Sequence, residues 1–106
     1  MRGTLSIDLL IAAKNHGLIT NIENATLDNI KDQLQQGHPS IAYINLGNSF
    51  FPRGHYIVIT GFDDRLQGLY AHSGKTPNMF FSYQSFLKDW AKTENWVLFV
   101  TGCHVE

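Results

Sequence analysis

Apolar and polar positions alternate along this chain with two periods, one helical and one extended, and the switches between them mark out the elements. From Ser6 to His16, Ile7, Leu10 and Ile11 fall on one face at helical spacing, with Ser6 placed to cap the first turn and Gly17 to close the last. Leu18 to Ile22 reads as a short strand, and Asn24-Ala25-Thr26 as a turn whose threonine caps a second helix. In that helix Leu27, Ile30 and Leu34 form an i, i+3, i+7 stripe that runs out at Gly37, where Pro39 forbids continuation.

The remainder is mostly extended. Ser40 to Leu46 places Ile41, Tyr43 and Leu46 opposite Ala42 and Ile44, the pattern of a strand buried on at least one face. Turn formers Gly47, Asn48, Pro52, Arg53 and Gly54 fill the next connection; Phe50 and Phe51 within it are expected to fold back over the core or to line a cleft. His55 to Phe62 is the most strand-like stretch, and Asp63-Asp64 with Gly68 marks a hairpin into a short strand, Leu69 to His72. Residues 73–78 read as a loop and Met79 to Phe81 as a short strand. Ser82 caps a helix carrying Phe86 and Trp90 at i, i+4, and Trp96 to Thr101 closes the sheet. This order predicts an α+β domain with a mainly antiparallel sheet and flanking helices.

A chain of 106 residues with 43% hydrophobic content has room for one modest core, so residues 1–106 are expected to form a single domain. The net charge of -1 and the scattered lysines provide no basic stripe for nucleic acid. Cys103, the single cysteine, excludes an internal disulfide and a cysteine-built zinc site. The apolar run Leu9 to Ala13 is too short to span a bilayer, and no signal peptide is visible. The five histidines show no i, i+2 or i, i+4 ligand pairing, so no metal or other cofactor is expected. Ser73-Gly74-Lys75-Thr76 ends like a phosphate-binding loop, but Leu69 stands where its first glycine belongs and Pro77 blocks the helix that would follow.

Candidate chemistry centres on Gly54 to Asp64, where a histidine opens an otherwise hydrophobic strand directly after a Gly/Pro loop. A histidine at such a strand mouth is held by a rigid element and suits a general base; by position alone, a solvent-facing or core-satisfied histidine is the more common case. The run from Leu34 to Val100 resembles the C-terminal part of the bacteriocin-processing, or double-glycine leader, cysteine peptidases, which have a papain-like fold. The resemblance rests on Gly37-His38-Pro39, on His55-Tyr56-Ile57-Val58-Ile59-Thr60-Gly61, and on a late helix with Phe86 and Trp90. The opening helix ending in His16-Gly17 is similar to a bacterial subgroup of the family.

The resemblance implies that His55 deprotonates a cysteine thiol and returns the proton to the leaving amine. The family's orienting aspartate is matched here by His72-Ser73, residues without a carboxylate, while Asp63 and Asp64 fit the hairpin turn and are expected to cap it. A peptide is the implied substrate, with Phe50, Phe51 and Tyr56 expected to meet it. The family's oxyanion-binding Gln and its nucleophilic Cys would fall before Met1. The chain is therefore expected to be the C-terminal portion of a longer, partial papain-like domain, from a bacterial protein of the cytoplasm or envelope. Cys103, near the end and with no helix behind it, is expected to be an incidental thiol. Two other readings stand beside the enzyme. In one, a pseudopeptidase holds a peptide or protein in the former groove; in the other, apolar surface left by missing elements is covered in a homodimer.

Overall fold

The computed structural model describes residues 17–103. Strands β1 (Leu18–Asn24), β2 (Ser40–Asn45), β3 (Gly54–Asp63), β4 (Gly68–Ser73), β5 (Thr76–Ser82) and β6 (Trp96–Cys103) are joined by helices α1 (Leu27–Gln35), after β1, and α2 (Tyr83–Ala91), before β6. The expected helix Ser6 to His16 lies outside the described residues. All the strands belong to one sheet in the order β1-β6-β2-β3-β4-β5, antiparallel at every junction. β2 to β5 run as consecutive hairpins; α2 then carries the chain back so that β6 inserts between β1 and β2.

The helices start where their caps dictate. Thr26 Oγ1 accepts from the Asn29 amide (3.2 Å) while Asn29 Oδ1 accepts from the Thr26 amide (3.0 Å), so two otherwise orphaned donors are satisfied reciprocally. Ser82 caps α2 through the Ser85 amide, at 3.2 Å. Ile30 of α1 and Phe86 and Trp90 of α2 are buried against one face of the sheet, on Ala42 and Ile44 of β2, Ile57 and Ile59 of β3, and Leu69 and Ala71 of β4. The opposite face carries a second aromatic cluster, Tyr43, Tyr56 and Trp96, with ring centroids 4.5 to 6.5 Å apart.

One connection is shorter than the loop expected over residues 73–78. β4 runs on to Ser73 and β5 starts at Thr76, because Gly74, at φ +60°, reverses the chain over Gly74 and Lys75. Asn78 bulges outward at φ +51°, with its amide donating to His72 Nδ1 (3.2 Å). Pro77 is tolerated there because β5 pairs on one side only.

Candidate active site

β3 begins against a constraint that only glycine meets. A Cβ at Gly54 would stand 1.7 Å from Tyr43 Oη, and Tyr43 is buried, so the strand passes directly over that hydroxyl before presenting His55. Side chains on a strand alternate between faces. His55 therefore shares the helix-covered face with Ile57 and Ile59, yet sits beyond them at the strand's first turnaround, where it is half-buried.

At that end β4 delivers Ser73. Ser73 pairs with Ile57 across the β3–β4 ladder and lies diagonal to His55 on the same face, with His55 Nε2 2.6 Å from Ser73 Oγ. No other side-chain hydrogen bond reaches the His55 ring among the described residues. A hydroxyl both donates and accepts, so the contact accommodates either tautomer of the ring. With Nε2–H donating to Ser73, the lone pair of Nδ1 is the basic site.

Strand alternation separates the other expected residues. His72 is the cross-strand partner of Val58, points to the opposite face and is exposed, so of His72 and Ser73 it is Ser73 that reaches the His55 ring. Tyr56 also faces away from His55, packed 4.5 Å from the Tyr43 ring and 5.8 Å from that of Trp96. Phe50 and Phe51 do not fold back over the core: they are 85% and 80% exposed, because their loop stands out from the sheet as an extension of the β2–β3 hairpin.

Asp63 ends β3 and Asp64 begins the turn after it, about 25 Å from His55 at the rise of an extended strand. Asp63 Oδ1 caps the turn by accepting from the Arg65 and Leu66 amides (2.9 and 3.2 Å). Asp64 accepts from the Tyr83 hydroxyl (2.6 Å) and pairs with Lys31 (2.9 Å); these two partners, the tyrosine foremost, hold its carboxyl below the usual carboxylate range. Burial, then Asp64, pushes the Tyr83 phenol well above its ordinary value. The Cys103 backbone ends β6 at the opposite end of the sheet from His55, by the register of β6 on β2 and of β2 on β3; its side chain lies outside what the structure describes.

Two further sets of residues shape this end of the sheet. The spacing of Tyr43 marks it as a strand residue and nothing more; strand pairing alone puts its hydroxyl beneath Gly54. Asn45 and Lys92 organise the loop before His55: Asn45 Oδ1 accepts from the Gly47 and Arg53 amides (2.8 Å each), and Lys92 Nζ donates to the Gly47 carbonyl (2.8 Å). An Asn closing a strand before Gly is a legible turn signal, whereas Lys92 is 45 residues from Gly47 and leaves no local trace.

A family model described as "Peptidase_C39 like family" matches residues 11–96. No curated protein matches the chain, and no solved structure does.

Proposed function

Because the chain belongs to the Peptidase_C39 like family, with an α+β architecture consistent with part of a papain-like fold, we propose that it is a cysteine-peptidase-like domain in which His55 is the general base and acid. The observation that carries this reading is the contact between His55 Nε2 and Ser73 Oγ at 2.6 Å. Ser73 accepts from Nε2–H, fixes the plane of the ring and leaves Nδ1 as the atom that takes a proton from a thiol and returns it to the leaving amine of a peptide.

This chain alone, whose single cysteine is at the other end of the sheet, is not expected to cleave peptides; the test is peptide cleavage by a longer parent that carries the cysteine nucleophile and by its His55→Ala variant. Loss of the proton carrier is expected to lower turnover by about a hundredfold or more; equal turnover by the two removes His55 from the mechanism.

A second reading, a pseudopeptidase that holds a peptide without cutting it, is favoured by one observation. The group on His55 is a hydroxyl, which gives an imidazolium less support than a carboxylate does. Calorimetry with extended peptides on that nucleophile-bearing parent separates the two, since tight binding without turnover is the signature of the second.

A further inference from the structure

The loop between β2 and β3, residues 46–53, holds two phenylalanines in water on a frame too ordered for a passive connection. Asn45 Oδ1 ties Gly47 to Arg53, and the Leu46 amide donates to the Arg53 carbonyl (2.9 Å), closing the base. Asn48 Oδ1 accepts from the Phe50 and Phe51 amides (2.9 and 2.8 Å), and the Asn48 amide donates back to the Phe51 carbonyl (3.2 Å), closing the tip. A Cβ at Gly47 would fall 2.1 Å from that same carbonyl oxygen, so the glycine lets the tip fold down. Lys92, itself paired with Asp89 (3.2 Å), clamps the base from the end of α2.

On this frame Phe50 and Phe51 are 85% and 80% exposed. Arg53 beside them is exposed and pairs with no carboxylate among the described residues, and residues 46–53 contain no acidic side chain. Fixing a loop in advance removes an entropic cost of association, which is of use only if the rings have something to meet.

We propose that this loop is a docking tip for a flexible peptide segment carrying adjacent large apolar side chains followed by a carboxylate: Phe50 and Phe51 cover the apolar pair and Arg53 takes the anion. The proposal rests on the reading of His55 as the site and deepens it, since the loop ends two residues before His55 and so grips a chain passing the base. An anionic membrane would share the chemistry of two rings and a cation. The loop itself brings one cation, Arg53, on a chain of net charge -1, which is poorly suited to hold a bilayer.

The experiment is an amide-shift titration of the full chain with three short, end-blocked Gly/Ser peptides containing Leu-Leu-Glu, Leu-Leu-Gln or Gln-Gln-Glu. The Leu-Leu-Glu peptide is expected to move the amides of residues 46–55 and to bind the doubly substituted Phe50→Ser, Phe51→Ser chain at least about tenfold more weakly. Arg53→Gln is expected to weaken Leu-Leu-Glu binding severalfold and to leave Leu-Leu-Gln binding unchanged. Lys92→Met, which keeps both rings but frees the base, is expected to weaken both severalfold.

Absence of binding by a folded sample, shifts centred elsewhere, or indifference to the Phe substitutions would overturn the proposal. So would uptake onto phosphatidylglycerol vesicles in place of peptide binding. Docking is expected to survive His55→Ala, so a failed base leaves a successful tip standing, and the cleavage comparison in turn does not depend on the tip.

Discussion

At the scale of single residues, the candidate site is a pair. His55 and Ser73 are 18 positions apart in sequence and meet at 2.6 Å because β3 and β4 are antiparallel and both side chains fall on the helix-covered face. A serine can orient the ring but brings no charge to oppose an imidazolium. Ser73→Ala removes the ring's hydrogen-bond partner, so the His55 ring N–H is expected to exchange with water at least severalfold faster. Histidine ring signals followed by NMR check this, and an unchanged exchange rate would mean that position 73 does not hold the ring. His72, though adjacent in sequence, is directed to the other face and engages Asn78 instead. In sequence His72 and Ser73 stand as alternatives beside His55; strand pairing brings only Ser73 to the ring.

At the scale of elements, α2 does more than cover the sheet. Its N-terminus is held at one end by the Tyr83 amide on the Gln67 carbonyl (2.8 Å), and its C-terminus reaches the His55 end, where Thr93 Oγ1 donates to the Tyr43 carbonyl (2.6 Å) and Lys92 holds the loop. Between them Trp90 is fully buried, stacked on Phe86 with centroids 5.0 Å apart and donating from Nε1 to the Trp96 carbonyl (2.8 Å). Trp90→Ala removes this ring and its hydrogen bond, and is expected to cost about 3–5 kcal/mol. That is a large share of the margin of a small domain. A urea titration of the variant checks it, with a much lower midpoint expected. The helical stripes and both capping residues were legible in the sequence because they depend on neighbours within one turn. The length of β4 and β5 was not, because Ser73 and Thr76, on either side of Gly74-Lys75, carry loop and strand preferences alike.

At the scale of the whole molecule, a polar cluster joins three parts of the chain. Lys31 of α1 lies over the rings of Phe62 and Tyr83 (5.3 and 5.7 Å to the centroids) and pairs with Asp64 of the β3–β4 turn, which Tyr83 of α2 also holds. Both titrating members couple stability to pH, with opposite signs. The Asp64 carboxyl is lowered in the fold, so its contribution is present above the ordinary carboxylate range and is lost as pH falls through the folded value. The Tyr83 phenol is raised, so its contribution is present below the ordinary tyrosine range, around pH 10, and is lost as the unfolded chain ionises above it. Urea midpoints measured across pH are expected to fall at both limits. Asp64→Asn should flatten the acid limb and Tyr83→Phe the alkaline limb, and limbs that persist unchanged in these variants would assign the dependence to other groups.

The sequence by itself determined the α+β class, the described helices with their caps, the strand that opens on His55 and the family to which it belongs, because periodicity, capping and a local motif depend on residues close together in the chain. The tertiary structure alone decided which side chains share a space: Ser73 with His55, Tyr56 with Tyr43 and Trp96, Lys92 with the loop before His55, and Phe50 with Phe51 out in solvent. The physical reason is that a strand sends alternate residues to opposite faces, and register between strands is set by pairings across the whole sheet. One position of difference, as between His72 and Ser73, then decides whether a residue joins the site or leaves it.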